Sequence, residues 1–336
     1  MAEEKGVVDE VSGWLRVYDD GSVDRTWVGP PEAKFMVDPV QPHENFVDGV
    51  AVRDVDPLSG PSVRIYMPEP RSEDESGDYK LPIVLHFHGG GFCISQPDWF
   101  LYYTVYSKLA RLGRVIVVSV YLRLAPENRL PAAIDDGYGA LLWLTSLART
   151  QTYDPWLSNK ADFKRVFLIG DSSGANLVHE VAFQGDKTDL NPLKLVGLIP
   201  IHPGIARSTR SKSELEMPQT AFLTLDMVDQ FLGLALPIRG TKDDPIICPM
   251  DRDAPPVSRV RLPPIMYCVA DKDLFIDTQM EWYEALKKEG ESAELYESHN
   301  MSHSFYLNYL GVKLDDNAKI QFEKLFDKII DFIKRH

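Results

Sequence analysis

Cysteine is scarce, with only Cys93, Cys248 and Cys268 in 336 residues. The number is odd and no two form a C-x-x-C pair, which excludes a disulfide-built scaffold and a cysteine zinc site. Buried free thiols in a reducing compartment follow as the expectation, with Cys93 packing rather than touching substrate. Long hydrophobic runs are absent too. None approaches the ~20 apolar residues that a membrane-spanning helix needs. Positive charge is the minority sign: 36 Lys and Arg against 50 Asp and Glu leave a formal net charge of −14. That balance argues against nucleic acid or an anionic membrane as a partner. The opening residues Met1-Ala2-Glu3-Glu4-Lys5-Gly6 lack the basic-then-apolar order of a secretion signal and are too acidic for a transit peptide, so a cytoplasmic location is expected. Neither GxGxxG nor GxxxxGK[ST] occurs, and no metal-ligand spacing is present. His86 and His88 share one face of a strand, but His88 reads as a brace for the glycines that follow it. No cofactor and no metal are expected.

What is present is a chain with 44% hydrophobic and 26% charged residues, enough for one large core. Strand-like runs alternate with helical ones. Strands are expected at 63–67, 82–88, 114–120, 165–170, 195–201, 264–270 and 293–298, the first antiparallel to the rest. Helices are expected at about 98–112, 131–149, 174–184, 278–289 and 316–335, the last with a core-facing stripe from Ile320 to Ile333. The alternation predicts an α/β fold with a mainly parallel sheet covered by helices on both faces. The polar stretch from Pro68 to Lys80 reads as a surface loop. Two segments fall outside the alternation, about 1–50 and 203–245. In the second, Thr224 is a candidate N-cap before an apolar stripe.

Three motifs carry chemistry. Gly170-Asp171-Ser172-Ser173-Gly174 stands between a strand and a helix, the context in which G-x-S-x-G forms a sharp turn that exposes its serine. His88-Gly89-Gly90-Gly91-Phe92 closes another strand. Glycines let the backbone approach a substrate oxygen, and acyl transfer needs preorganised N–H donors there. Gly89, Gly90, Gly91 and Ser173 are therefore the candidate oxyanion-hole residues, with Gly90, Gly91 and Ser173 as donors and Gly89 as the turn. Finally, acids and histidines follow the last two strands, in the order Ser…Asp…His. The residues alone leave Asp271, Asp273 and Asp277 open as the acid, and His299 and His303 as the base.

Together these pieces resemble the hormone-sensitive-lipase-type branch of the α/β-hydrolase fold, and specifically the plant carboxylesterases. The resemblance rests on HGGGF at 88–92, Arg123-Leu124-Ala125-Pro126-Glu127, GDSSG at 170–174, Asp273-Leu274-Phe275-Ile276-Asp277 and His303-Ser304-Phe305. It implies a triad of Ser172, Asp273 and His303. It also implies one α/β-hydrolase domain over 1–336, with a helical cap built from about 1–50 and 203–245 and helped by apolar residues between Val7 and Val17. Arg123 and Glu127 are expected to pair with each other near the turn at Pro126. The implied activity is hydrolysis of small carboxylic esters by a serine carboxylesterase. Other members of the plant branch are dehydratases or cyclases of specialised metabolism, and the related gibberellin receptors lack the catalytic histidine that His303 supplies here. Phe92, Trp99, Phe100, Tyr102 and Tyr103 hint at an aromatic pocket. Oligomeric state has no signature in the sequence.

Overall fold

The computed structural model describes residues 5–71, 80–150, 154–252 and 254–336. Most of the polar stretch 68–80 and the first four residues lie outside them. The chain opens with β1 (Val7–Val11), β2 (Leu15–Tyr18) and β3 (Val23–Asp24), and then β4 (His43–Val47), β5 (Val50–Val55) and β6 (Val63–Pro68). The alternating region follows as β7 (Leu81–Phe87), α1 (Phe100–Gly113), β8 (Ile116–Val120), α2 (Ala132–Thr150), α3 (Pro155–Lys160), β9 (Ala161–Asp171), α4 (Ser173–Asp186) and β10 (Leu195–Ile201). After α5 (Lys212–Glu216) and α6 (Leu225–Ala235) come β11 (Ile265–Ala270), α7 (Ile276–Lys288), β12 (Ala293–Ser298), α8 (Tyr309–Leu314) and α9 (Asp316–Arg335).

Among the described residues β4 to β12 form one sheet in the order β12-β11-β10-β9-β7-β8-β6-β5-β4. The pairings from β8 across to β12 are parallel, and β6 runs antiparallel to both β8 and β5. Strands β7, β8 and β11 are buried along their whole length, as expected of strands covered on both faces. Successive side chains go to opposite layers. Ile83, Leu85, Val166 and Leu168 pack with α2 and α4, whereas Val84, Val117, Phe167 and Ile169 pack with α1 and α9. From β7 the chain crosses to β8 on one side and then returns to β9 on the other. The carboxyl ends of β7 and β9 therefore flank a crevice, the place where open α/β sheets put their sites.

The α/β-hydrolase architecture is as expected, and several details differ. The N-terminal segment contributes mainly strand: β1, β2 and β3 form a separate antiparallel sheet, and its described helix is the short 3-10 stretch Pro31–Val37. Val11 and Leu15 are buried in it, but Val7 and Val8 are exposed. Strands β4 and β5 extend the main sheet at an edge that the sequence pattern did not mark. In the second unpatterned segment, Thr224 caps α6 by accepting from the Met227 amide at 3.2 Å. The polar stretch before it hides the short helix α5, closed by a capping box between Ser211 and Glu214.

The expected Arg123–Glu127 pair does not form. Asp136, in the first turns of α2, accepts from the Arg123 backbone N–H at 2.7 Å and from its guanidinium at 2.8 Å. Glu127 is held by Arg25 through contacts of 2.8 and 2.5 Å. Each side chain found a partner from another element, and Arg25 brings two further donors that a local pair could not use. No helix among the described residues is long and apolar enough to cross a membrane.

Candidate active site

Four strand ends deliver the site. β7 leads into the glycine loop, β9 into Ser172, β11 into Asp273 and β12 into His303. Register keeps the ends level, with Phe87 opposite Gly170, Ile201 opposite Asp171 and Ala270 opposite Ser298.

Ser172 adopts φ 51° and ψ −122°, a left-handed conformation that costs a non-glycine residue energy and occurs at functional turns. The surroundings enforce it. Its N–H donates to Ile201 O at 3.0 Å, and its carbonyl accepts from Gly204 N at 3.1 Å. A Cβ on Gly170 would overlap the Gly174 carbonyl, and one on Gly174 would overlap the Phe87 carbonyl. The two glycines of the motif are therefore steric requirements of the turn.

His303 Nε2 lies 2.8 Å from Ser172 Oγ, and its Nδ1 lies 2.7 Å from Asp273 Oδ2. Asp273 is fully buried. Its other oxygen accepts from the Phe275 amide at 2.9 Å, and Oδ2 also accepts from Gln279 Nε2 at 2.9 Å. Burial pushes the Asp273 carboxyl up, but the neighbouring His303, His202 and the Phe275 amide outweigh it and hold the group below the ordinary carboxylate range. The two rival acids are occupied elsewhere. Asp277 accepts from the Ser213 amide at 2.7 Å, and Asp271 sits with Glu297 beside the exposed His299. His202, behind the site, accepts from the Ser304 amide at 2.8 Å and so holds the turn that carries His303.

The glycine loop divides its work. Gly90 and Gly91 have φ of 99° and 59°, and the Gly90 carbonyl accepts from the Cys93 and Ile94 amides. The amides of Gly90, Gly91 and Ser173 have no acceptor among the described residues, and all three residues line the cavity above Ser172. Gly89 is different. Its N–H donates to Tyr102 Oη at 3.0 Å, and that hydroxyl donates to Asp171 Oδ2 at 3.2 Å. The Gly89 amide is therefore spent inside the protein, in keeping with the turn role expected of that residue, because the turn aims it at α1 and not at the cavity. Burial pushes the Asp171 carboxyl up to about 6. His88 braces the loop through a 2.9 Å contact between its Nδ1 and Gly89 O. Ser173 adds a strut that the sequence did not suggest: its Oγ accepts from the Phe92 amide at 3.3 Å.

The cavity measures about 470 Å³, within the size range of small-molecule sites. Of the five aromatics near the glycine loop, Phe92, Trp99 and Tyr102 line it, while Phe100 and Tyr103 do not. Cys93 does not line it either; burial pushes its thiol up to about 12. Trp14, Trp27 and Met36 reach the cavity from the N-terminal segment, and Phe222, Val228 and Phe231 from the 203–245 segment. Gln279, Trp14, Trp27 and Phe222 carry no signal in the sequence. The three aromatics lie far along the chain from the motifs they serve, and Gln279, six residues past Asp273, stands on α7 with no spacing that marks it.

A sequence profile described as alpha/beta hydrolase fold matches residues 84–307. A curated protein of Arabidopsis thaliana, "Probable carboxylesterase 6", is 37% identical over 279 residues, covering 82% of this chain and 78% of that one. The 2-hydroxyisoflavanone dehydratase of Glycyrrhiza echinata is 33% identical over 293 residues, 85% of either chain. Among solved structures, a thermostable carboxylesterase from a metagenomic library superposes with a TM-score of 0.68 at 24% identity, covering 88% of this chain and 91% of that one; it bears on the fold. With its elbow, glycine loop and sheet order in place, the chain belongs to the α/β-hydrolase fold family, in its plant carboxylesterase branch.

Proposed function

We propose that this chain is a serine carboxylesterase in which Ser172, His303 and Asp273 form the catalytic triad. Ser172 Oγ attacks the ester carbonyl carbon while its proton passes to His303 Nε2. The carbonyl oxygen becomes an oxyanion that the Gly90, Gly91 and Ser173 amides receive, already fixed and desolvated. Asp273 holds the imidazole in the required tautomer and stabilises its cation. As the tetrahedral intermediate collapses, the C–O bond to the alcohol breaks and His303 returns the proton to the leaving oxygen. Water then attacks the acyl-enzyme, giving its proton to His303, and the acid departs with Ser172 restored. No cofactor takes part in these steps.

The supporting observation is that one imidazole bridges Ser172 at 2.8 Å and Asp273 at 2.7 Å, beside unpaired loop amides in a largely apolar cavity. The N-terminal segment and the 203–245 segment act as a cap that excludes water from the acyl-enzyme. The three buried free cysteines fit a reducing, cytoplasmic setting, and the substrate is a small ester.

A fluorophosphonate probe tests the assignment. Wild type is expected to be labelled at Ser172, and Ser172→Ala to lose both label and ester turnover. Labelling and turnover that survive the substitution reject it. A second reading draws on the similarity to the isoflavanone dehydratase: the same pocket could run an elimination, with His303 moving the proton and the loop amides holding a carbonyl. The complete Ser–His contact favours hydrolysis. Parallel assays of simple esters and a 2-hydroxyisoflavanone separate the two.

A further inference from the structure

Three tryptophans and a phenylalanine from four separate parts of the chain meet in the cavity. Trp14 lies between β1 and β2, Trp27 after β3, Trp99 just before α1 and Phe222 just before α6. Trp14 meets Trp27 edge to face, with centroids 4.5 Å apart at 70°. It runs nearly parallel to Trp99, at 6.4 Å and 9°, and meets Phe222 at 6.4 Å and 49°. All four line the cavity and all four are only half-buried.

A closed core treats large rings differently. Phe87 and Phe167, for example, are wholly covered, since burying a ring of this size is among the largest apolar gains available. Here four rings converge on the cavity and each stays only part-buried. The seat of Trp27 is built with care. Its Nε1 donates to Pro30 O at 3.1 Å, and a Cβ on Gly29 would overlap the indole. Its polar edge is thus satisfied within the protein and asks nothing of a ligand. Charge narrows the occupant further. The lining residues drawn from 14–37, 90–102 and 218–232 carry no charged side chain, and the acids and bases, Asp171, Lys272, His303 and Asp315, come from other segments. A cation attracted to the rings would find no carboxylate in this wall to neutralise it.

We propose that this aromatic wall recognises a planar, uncharged aromatic ring carried by the ester substrate, so that ring-bearing esters are preferred over alkyl ones of equal size. The inference rests on the ester-hydrolase reading above and specifies its substrate class. The ring belongs to either the acyl or the alcohol half, and matched pairs separate these. Ethyl 3-phenylpropanoate against ethyl 3-cyclohexylpropanoate tests the acyl half. 2-Phenylethyl acetate against 2-cyclohexylethyl acetate tests the alcohol half, and ethyl butanoate reports on hydrolysis as such.

Wild type is expected to favour the phenyl member of one pair by ~10-fold in kcat/KM, mainly through KM, as two ring contacts together supply. In Trp14→Leu that ratio should fall to near parity, and in Trp14→Phe part of it should return. A ratio taken within one protein does not depend on how much of it folds. Parity in both pairs for wild type overturns the proposal, as does a preference that survives both Trp14→Leu and Trp99→Leu. A choline ester hydrolysed faster than its uncharged 3,3-dimethylbutyl counterpart overturns the assignment to a neutral ring. If no ester is turned over, ethyl butanoate included, the hydrolase reading fails and binding decides this one. 3-Phenylpropanamide should then quench the tryptophan fluorescence of Ser172→Ala at lower concentration than 3-cyclohexylpropanamide, and equal affinities overturn it.

Discussion

Gln279 donates its side-chain amide to Asp273 Oδ2 at 2.9 Å, the same oxygen that faces His303 Nδ1 at 2.7 Å. A second donation from Gln279, to Pro203 O at 3.0 Å, ties α7 to the segment after β10. Gln279 and His303 thereby share Asp273 Oδ2, and the carboxylate is held independently of the histidine. Gln279→Leu removes a hydrogen bond to a buried carboxylate, worth ~1.5–3 kcal/mol. The expected outcome is a fall of ~10-fold or more in kcat with KM within about twofold, since the residue acts on His303 through Asp273 and not on substrate. Steady-state kinetics and the rate of fluorophosphonate labelling should fall together.

Tyr102 connects the glycine loop to the elbow, accepting from Gly89 N and donating to Asp171. Tyr102→Phe leaves a buried N–H and a buried carboxylate short of a partner. A stability loss of ~1–3 kcal/mol is expected, read as a lower midpoint in denaturant. Because Gly90 and Gly91 hang from the same loop, kcat should also fall, by less than the ~10²–10³ seen for outright loss of an oxyanion donor. An unchanged kcat would separate the loop's anchor from its catalytic geometry.

Arg25 anchors the N-terminal segment over the site. Its Nε donates to Cys93 O at 2.7 Å and its Nη2 to Ala125 O at 2.8 Å, while both terminal nitrogens reach Glu127. Arg25→Ala should release the segment that carries Trp14 and Trp27. The expected result is a larger rise in KM than loss in kcat, with faster proteolytic cleavage before residue 40. Arg25→Lys should rescue little, because one ammonium cannot reproduce the planar fork.

Acid stability follows from buried histidines. Burial pulls His88 and His179 down to about 4 and His202 to about 3, and it lowers His86 strongly as well. For each, the unfolded chain binds a proton from about pH 6.5 downward while the fold resists it. Their contribution is fully present above pH 6.5 and is lost as pH falls toward 4. Two carboxyls oppose this. Burial raises Asp171 to about 6 and Glu180 to about 7, so in the same window the fold takes up protons that the unfolded chain does not. Four groups outweigh two, and the melting temperature should drop between pH 6.5 and 4.5. Glu180→Gln removes part of the opposition and should steepen that drop in a thermal scan.

Much of the fold is legible in the sequence. The strands at 82–88, 195–201 and 264–270 and the helices at 131–149 and 316–335 fall within a residue or two of where the structure has them. They are long, strongly periodic and bounded by turn residues, the features that local sequence encodes best. β1, β2, β4 and β5 were not legible. β1 and β4 are largely exposed and β2 is four residues long, and the pairing of all four comes from neighbours that no local pattern announces. Arg123 and Glu127 teach the same lesson. Four residues apart, they looked like partners, yet Asp136 and Arg25 bind them, because a folded chain offers closer geometry than sequence adjacency does.

The sequence by itself determined the chemistry on offer: a serine framed by glycines after one strand, a glycine run after another, and acids and histidines after the last two. Local sterics decide that much, since only glycine tolerates the contacts around Ser172. Only the tertiary structure decided which acid and which histidine meet that serine, that the Gly89 amide is spent on Tyr102, and that Trp14, Trp27, Trp99 and Phe222 share one cavity. Those outcomes depend on sheet order and on segments folding over the strand ends. Such contacts span tens to hundreds of residues and leave no periodic trace in the chain.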